Sequence, residues 1–493
     1  MTTEDGIEKI IGRFGKYQTW ILFLISIGRL PTEFQLNIVV FLLPGVEYEC
    51  QDSAVNITNY CPCEHPKYDQ STIVSSVVTE WNLICDRVYL ASLAQSIMQI
   101  GILAGSLVFG HISDRYGRKL AVLLSLFLEA AFVAISGLVP EFWMFLVCRF
   151  LIGTAVGGTM LCGYVLFIEF CGKSFRPYVI GLHEISFIVG YLILPIIAFY
   201  VREWRTLQLV TSVPWLAVIS YYWLIPESPR WLITVGKKNE AITLLKLIAK
   251  KNNRTTENIE SIVEEMEKET MRESQKPASY VDLFKTPKIR FYTVITAFIW
   301  MFCSHTFFGV NQYIGRLQGN IYLNVMLSAV SLIPGLIIVV FATLHLKRKV
   351  SIVTSFSIAG LSLLVFIFIP NNIEALTLTF AIIGLIGAYT SFVQVYLFTS
   401  EVFPTIIRNT ALGFASMFGR FGGFIAPFVV NLGIEWASIL IFCGVAFAAA
   451  SLCYLLPETK DIILLNSIEQ TEGPKNAITE IKNNETNIDK TTK

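Results

Sequence analysis

Twelve long apolar segments constrain the fold of this chain more than any other feature. An α-helix of about 20 residues crosses the ~30 Å hydrocarbon core of a bilayer, and it satisfies its own backbone hydrogen bonds there. We predict spans at 18–44, 89–111, 120–139, 142–167, 178–201, 207–225, 289–311, 321–345, 350–369, 374–398, 410–431 and 434–456. Because 54% of the 493 residues are hydrophobic and only 15% are charged, we exclude an ordinary soluble fold and expect an all-α membrane protein.

Lysine and arginine are concentrated in alternate loops, and loops that stay in the cytoplasm carry such an excess. Basic clusters precede the first span, follow the second, fourth and eighth spans, and recur between residues 230 and 254. We therefore predict a multi-pass protein of the plasma membrane with both termini in the cytoplasm. The predicted regions are a terminus 1–17, a bundle 18–225, a helical linker 226–288, a bundle 289–456 and a disordered tail 457–493.

The loop 45–88 is predicted to lie outside the cell. It contains four of the ten cysteines, namely Cys50, Cys61, Cys63 and Cys85. An oxidising exterior favours two disulfides among them, with three pairings open. A metal site that includes Cys61, Cys63 and His65 is the alternative. Asn56 begins an Asn-Ile-Thr sequence, which predicts N-glycosylation of this loop.

The chain repeats itself at an offset of about 231 residues, and the repeat divides it into two six-helix halves. Arg118-Lys119 follows the second span, and Arg348-Lys349 follows the eighth. A glutamate and an arginine after the fourth span, and a Pro-Glu pair after the sixth, recur at the same places in the second half. Such a duplication is typical of transporters in which one bundle moves against the other.

Most of the repeated charges lie at the predicted cytoplasmic ends of helices, where they can reach partners on neighbouring helices. We interpret them as a gate whose ion pairs form when the cytoplasmic side closes and break when it opens. The alternative is that they only anchor helix ends. With Arg149 of the fourth span included, the gating set is Asp114, Arg118, Arg149, Glu169, Arg176, Glu227, Arg230, Glu401, Arg408 and Glu458.

Several motifs resemble those of the organic cation, anion and carnitine transporters, a branch of the major facilitator superfamily. The superfamily-type motifs are GHISDRYGRK at 110–119 and RFLIG at 149–153. The branch-type motifs are EWNLIC at 80–85, PESPRWL at 226–232 and EVFPTIIRN at 401–409. The resemblance implies the twelve-helix major-facilitator fold, alternating access of two halves and small organic ions as substrates. One departure is Leu344, which stands near the place of an acidic residue and implies an asymmetric gate.

Charged residues in the middle of a span are costly in lipid, so each one is a candidate for function. Arg29 and Glu33 are four residues apart and can instead form a neutralising pair. Glu184 lies on the fifth span. Arg420 lies beside glycines that leave its guanidinium open to a ligand, the alternative being a structural pair with a carboxylate of the fourth or tenth span. In the resembled family an arginine at this place implies a substrate with a carboxylate, which a guanidinium binds through two hydrogen bonds.

Aromatic and amide side chains complete the predicted site. Phe307 and Phe308 stand where related carriers have an aromatic pair, and they suit cation–π contact with an amine. Gln208 and Asn311 are predicted hydrogen-bonding partners. With Glu33 and Glu184 beside Arg420, we predict an anion or a zwitterion, carnitine-like or derived from an amino acid. The alternatives are transport of an organic cation, and a transporter-like membrane glycoprotein that acts mainly by binding.

The other functional classes fit less well. An ATP-driven pump needs a phosphate loop, and the nearest match, at 171–174, has Phe167 where the first glycine is required. We predict no enzyme, no metal, no cofactor and no nucleic-acid partner. The predicted partners are the small organic ion and the lipid bilayer, with coupling to H⁺ or Na⁺ or to a counter-substrate left open. A channel is the remaining alternative, although the repeated charges cluster at one face and do not line a pore.

Overall fold

The computed structural model describes residues 6–51, 58–172, 174–273, 279–370, 373–404 and 406–460. Within these ranges, eleven helical segments are long and apolar enough to cross a membrane. Ten of the spans are the helices Val88–Tyr116, Arg118–Ser136, Phe142–Glu169, Arg176–Tyr200, Pro287–Ile314, Ile321–His345, Arg348–Ile367, Glu374–Val402, Arg408–Val430 and Glu435–Tyr454. The eleventh, the sixth span of the chain, joins Trp204–Ser212, a 3₁₀ turn Val213–Ser220 and Tyr221–Leu224. Helix ends are named below by the orientation predicted from the basic loops.

The first predicted span is present as an interrupted helix, which is why eleven continuous spans are found and not twelve. Its pieces are Lys16–Gly28, Leu30–Asn37 and Val39–Leu42. The residues at the two breaks, Arg29 and Ile38, keep right-handed helical dihedrals, so the chain path continues across the membrane. Pro31 lies directly after the first break, where its missing N–H and its ring disturb the regular hydrogen bonding. The count of twelve spans therefore holds with one of them divided.

Close helix packing within each half depends on glycine. A Cβ at Gly105 of the second span would lie 1.9 Å from the carbonyl oxygen of Thr154 on the fourth span. In the second half, a Cβ at Gly422 of the eleventh span would lie 2.0 Å from the carbonyl oxygen of Met301 on the seventh. Small residues let membrane helices approach this closely, and packing then replaces the hydrophobic effect as the source of association.

The two halves meet from the middle of the membrane to its outer surface. Ser92 and Ser96 of the second span donate hydrogen bonds to the carbonyl oxygens of Pro427 at 3.2 Å and Phe424 at 2.6 Å on the eleventh span. At the outer end of the eighth span, Tyr322 donates to the Thr72 carbonyl of the outer loop at 2.9 Å. The Tyr322 ring also stacks on Phe41 of the first span. These contacts hold the outer side closed.

The outer loop is fixed by two disulfides, Cys50–Cys63 and Cys61–Cys85. They select one of the three possible pairings and leave none of these four thiols free to bind a metal. A two-stranded antiparallel sheet, Tyr48–Cys50 with Pro66–Tyr68, lies between them. The predicted glycosylation site, Asn56, falls outside the described residues.

The linker between the halves is helical. Its helices are Pro229–Thr234, Lys238–Lys251 and Ile259–Glu273, followed by the 3₁₀ turn Tyr280–Phe284. The N-terminal helix Gly6–Ile11 buries its isoleucines against the linker helices. Asn252 joins the two parts, because its side-chain amide donates to the Ile11 carbonyl at 3.0 Å and its oxygen accepts from the Tyr17 amide at 3.0 Å. The linker helices therefore pack on the N-terminal half.

Candidate functional site

Arg420 lies halfway along the eleventh span, on a segment held by glycine contacts. A Cβ at Gly419 would meet Trp300 of the seventh span at 3.3 Å, and one at Gly423 would meet Gln99 of the second span at 3.1 Å. The glycine faces therefore pack on neighbouring helices. The Arg420 side chain is only partly buried, and no described residue forms a hydrogen bond or an ion pair with it.

Tyr396 of the tenth span links the two charged parts of the site, because its hydroxyl lies within electrostatic range of both Arg420 and Glu184. Its ring meets the edge of Trp300 at a centroid distance of 4.3 Å. The Trp300 indole N–H donates to Thr399 Oγ1 at 2.8 Å, which fixes the indole and, through it, the Tyr396 ring.

Glu184 of the fifth span is partly buried, and it accepts a hydrogen bond from the Tyr389 hydroxyl at 3.3 Å. Aromatic rings from the fifth, seventh and tenth spans surround this contact. Phe307 is their centre, with ring centroids of Phe392 at 5.1 Å, Phe308 at 5.3 Å, Tyr389 at 6.0 Å and Phe187 at 6.4 Å. Phe307 itself is buried, whereas Phe308 and Phe392 are partly accessible. The structure thus brings four predicted residues together: Arg420, Glu184, Phe307 and Phe308.

Asn311 lies one turn farther out and closes the site toward the outer surface. Its side-chain oxygen accepts a hydrogen bond from the Tyr191 hydroxyl, and its amide donates to Asn37 Oδ1 at 3.2 Å. All three residues are buried. They tie the fifth, seventh and first spans together on the outer side of the site. The accessible residues of the site lie on the cytoplasmic side of this group.

The first span contributes the predicted neutralising pair. Arg29 Nη2 and Glu33 Oε1 are 2.7 Å apart, and both side chains are enclosed. Glu33 lies within electrostatic range of Glu184 but is 1% exposed, so it does not reach an open cavity here.

Two predicted residues face away from the site. Gln208 is buried, accepts from Gln35 Nε2 at 2.9 Å and donates to Ser136 Oγ at 3.1 Å, so it joins the first, third and sixth spans. Arg149 is also buried, near the outer end of the fourth span. It donates to the Ala94 carbonyl at 3.3 Å and to Gln35 at 3.4 Å. Arg149 therefore does not join the charges at the cytoplasmic ends.

Glu129 of the third span escaped the sequence analysis, although it lies at the centre of the predicted span 120–139. The structure buries its carboxylate between Thr32 and Thr159. The sequence feature that identifies Glu129 as a candidate is a charged residue in the middle of an apolar segment.

The cytoplasmic ends of the N-terminal half form a connected charge cluster. Arg118 bonds to Asp114 and lies 3.2 Å from Glu169 of the fourth span. Among the described residues, Glu227 forms no ion pair. It accepts from the backbone amides of Lys119 at 3.0 Å and Ser228 at 2.9 Å, and so caps the start of the third span. Burial raises the pKa of the Glu227 carboxyl, and these amide hydrogen bonds partly oppose that effect.

The C-terminal half repeats this cluster. Arg348 lies 3.1 Å from Glu401, and this pair corresponds to Arg118 and Glu169 of the first half. Glu458 accepts from the backbone amides of Arg348 at 2.8 Å and Lys349 at 3.1 Å, which is the capping role of Glu227. The missing acidic residue near Leu344 is replaced by a backbone group, because Arg348 donates to the Thr343 carbonyl instead. The repeat thus has two clusters of equivalent form.

The gate predicted from these charges stays a prediction. Both ion pairs join helices of the same half, because each motif copy and its partner belong to one bundle, and both are formed while the outer side is closed. Because neither pair crosses between the halves, rigid separation of the halves does not by itself break them. Arg176 and Arg230 lie near Cys171, whose thiol pKa burial raises to about 12 against the opposing effect of the two cations. Arg408 lies within electrostatic range of Glu401.

Two six-helix bundles with repeated charge clusters, and a polar site between them in the middle of the membrane, define a solute transporter of the major facilitator type. Residues 54–469 match the family described as "Sugar (and other) transporter", and the chain belongs to this family. It is a multi-pass membrane transporter and not an enzyme.

Curated relatives place the chain in the branch that its motifs resemble. It is 31% identical to an organic cation transporter protein of Drosophila melanogaster, over 95% of this chain and 94% of that protein. It is 34% identical to solute carrier family 22 member 2 of Oryctolagus cuniculus, over 84% and 74% of the two chains. Among solved structures, the inward-open xylose transporter XylE of Escherichia coli superposes with a TM-score of 0.68 at 16% identity, covering 92% of this chain and 99% of that one. This last likeness concerns the fold.

Proposed function

We propose that this protein carries a small zwitterionic solute across the plasma membrane by alternating access of its two halves. The carboxylate of the solute binds Arg420, and its cationic group lies near Glu184 and the aromatic rings around Phe307. The observation that carries the proposal is the partly accessible guanidinium of Arg420 in the middle of a span, which has no hydrogen-bond or ion-pair partner in the described part of the chain.

An arginine in the membrane interior is costly unless it has a partner. The structural alternative was a pair with a carboxylate of the fourth or tenth span, but Arg420 has no such contact among the described residues. A substrate carboxylate supplies the missing partner, because it matches the planar guanidinium with two hydrogen bonds. The substrate then neutralises a charge that the protein leaves uncompensated.

The other end of the site suits a cation. Glu184 supplies a negative charge held by the Tyr389 hydroxyl, and partly accessible rings of Phe308 and Phe392 lie beside it. Ring faces attract an ammonium group, most strongly where water is excluded. A solute with both charges therefore pairs each end with a group of opposite charge, whereas a simple anion leaves Glu184 without a partner.

The second candidate is an organic cation, which the names of the curated relatives favour. Glu184 and the rings bind such a solute equally well, but Arg420 then repels it. The two candidates differ in what removal of the Arg420 charge does, since the charge aids a zwitterion and opposes a cation.

An uptake assay tests the proposal in cells that express the wild type, Arg420→Ala or Arg420→Lys. The three labelled tracers are L-carnitine, a tetraalkylammonium cation and an aromatic carboxylate. Loss of one charge-assisted pair costs about 1.5–3 kcal/mol, which predicts a roughly 10- to 150-fold lower kcat/KM for carnitine in Arg420→Ala and a smaller loss in Arg420→Lys. Arg290→Ala is the matched control, because Arg290 is exposed at the cytoplasmic start of the seventh span. Unchanged carnitine uptake in Arg420→Ala at equal surface expression, or uptake of the cation alone, contradicts the zwitterion proposal.

A further inference from the structure

Glu129 of the third span is a fully enclosed carboxyl group at a junction of three helices. Its Oε2 atom is 2.7 Å from Thr32 Oγ1 of the first span and 3.0 Å from Thr159 Oγ1 of the fourth. Its Oε1 atom is buried and has no hydrogen-bond partner among the described residues. An ionised carboxylate has about four acceptor positions, so half of this group is left unsolvated.

The hydroxyl of Thr159 shows how the junction accommodates a neutral acid. Thr159 Oγ1 lies 3.2 Å from the Ala155 carbonyl as well as 3.0 Å from Glu129. A hydroxyl has one proton, and a carbonyl can only accept. When Thr159 donates to the Ala155 carbonyl, its oxygen can accept a hydrogen bond from a protonated Oε2 of Glu129. The observed distances therefore fit a protonated Oε2 that accepts from Thr32 and donates to Thr159, without any movement.

The charges around Glu129 leave it without a counter-ion. Arg29 and Glu33 of the first span face it, but they neutralise each other at 2.7 Å. On the fifth span, Glu184 lies within electrostatic range of Arg29 and so shares the same cation, whereas the Arg29 charge opposes protonation of His183. The fourth span contributes the Thr159 hydroxyl, and the sixth brings the Tyr221 ring against Gly28, one turn below Thr32. A second negative charge here would be buried and unpaired, which proteins avoid by neutralising the group.

We propose that Glu129 is a proton-binding site that couples substrate transport to proton movement. In the outward-closed conformation the carboxylate holds one proton as a carboxylic acid. Thr32 belongs to the segment Leu30–Asn37, which is bounded by the two breaks of the first span and can shift as a unit. Displacement of this segment exposes the carboxyl group to water, the proton passes from Oε2 to a water molecule, and Glu129 becomes a carboxylate. Proton binding at Glu129 does not depend on the charge of the substrate, so this inference is independent of the zwitterion proposal.

A metal cation fits the junction less well. Sodium needs several oxygen ligands, whereas the junction provides one carboxylate and two hydroxyl groups, one of them also bonded to a backbone carbonyl. The positive charge of Arg29 is a further obstacle. Sodium binding at this junction is the alternative to proton binding that the test below distinguishes.

Infrared difference spectroscopy of the full chain in proteoliposomes tests the site without any substrate. Spectra of the wild type, Glu129→Gln and Glu374→Gln are recorded in sodium-free buffer at neutral and alkaline pH. Glu374 is the matched control, because it is exposed at the outer end of the tenth span. We expect the carbonyl band of a protonated carboxylic acid in the wild type and in Glu374→Gln at neutral pH, and its loss in Glu129→Gln.

An imposed proton gradient supplies the second measurement, with the membrane potential clamped and any transported tracer as the probe. For one proton per cycle, a gradient of one pH unit changes the steady-state accumulation ratio about tenfold. Glu129→Gln should transport with no such response. Any one of three results overturns the proposal. The first is the carboxylic-acid carbonyl band in Glu129→Gln, and the second is a wild-type spectrum that responds only to added NaCl. The third is an accumulation ratio in Glu129→Gln that still responds to the proton gradient. If no tracer is transported, the infrared result still decides it.

Discussion

Replacing Gly105 with alanine should destabilise the N-terminal half, because the second and fourth spans leave no room for a methyl group. The new Cβ would lie 1.9 Å from the Thr154 carbonyl oxygen and 2.8 Å from its Cα atom. A carbon–oxygen contact of this kind is normally at least about 3.3 Å, so the helices would have to separate locally by about 1.4 Å. The obstructing atoms belong to the backbone and cannot rotate away as a flexible side chain does.

Two opposing effects set the size of the change. Alanine favours the helix over glycine by about 0.8–1 kcal/mol, whereas forcing extra volume into a packed contact costs about 1–3 kcal/mol. Separation also opens the neighbouring contacts, where a Cβ at Gly101 or at Gly153 would lie 2.3 Å from a carbonyl oxygen of the facing helix. We therefore place the cost near the upper end of its range and expect a net destabilisation of about 1–2 kcal/mol.

The assay is thermal unfolding of the detergent-solubilised protein, followed by size-exclusion chromatography of the surviving fraction. Gly444→Ala in the twelfth span is the matched control, because a Cβ there meets nothing within 4 Å. The control should melt at or slightly above the wild-type temperature, and Gly105→Ala should melt several degrees below it. Equal melting temperatures for the two variants would refute the packing argument.

Two further predictions concern the cytoplasmic and outer ends. Burial raises the pKa of Glu458, but the amides of Lys460, Lys349, Arg348 and Thr459 outweigh it and hold the pKa below its ordinary value. The stabilising effect of the ionised Glu458 is thus complete at neutral pH and is lost as the pH falls through that lowered pKa. Glu458→Gln should therefore melt below the wild type at neutral pH, and the two melting temperatures should converge in acid. A difference in melting temperature that does not change with pH contradicts this prediction. Tyr322→Phe removes the 2.9 Å hydrogen bond to the Thr72 carbonyl but keeps the ring contacts with Phe41 and Phe199. A cysteine introduced in the site should then react faster with thiol reagents added outside. An unchanged reaction rate shows that this hydrogen bond does not hold the outer side closed.

Features that depend on sequence spacing were predictable from the chain alone. The span pattern and the repeat of about 231 residues led to the two-bundle fold, and the repeat also indicated that Arg118 and Arg348 have equivalent surroundings. The spacing of Arg29 and Glu33 allowed the pair that the structure contains. The pair Phe307 and Phe308 followed from the family resemblance, whereas the rings of Phe187, Tyr389 and Phe392 around Phe307 did not.

Features that depend on the direction of a side chain were not predictable. Gln208 is polar and lies on the correct span, yet it faces the third span and not the central site. The roles of Glu227 and Glu458 as backbone caps, and the substitution of the Thr343 carbonyl for an acidic side chain, require three-dimensional contacts. The interruption of the first span and the disulfide pairing likewise arise from the folded structure.

Alternating access is the central claim, and a cysteine at Phe308 tests it most directly. Phe308 is partly accessible beside Phe307, and the six cysteines outside the disulfides are buried, which keeps background labelling low. A membrane-impermeant thiol reagent is applied to Phe308→Cys in right-side-out and inside-out vesicles, with and without the added Tyr322→Phe change. We predict faster labelling from the cytoplasmic face in the single variant, and a shift in the double variant that raises outer labelling while it lowers inner labelling. Labelling that rises from both faces together, as in an open channel, or that stays confined to one face in both variants, would contradict the account.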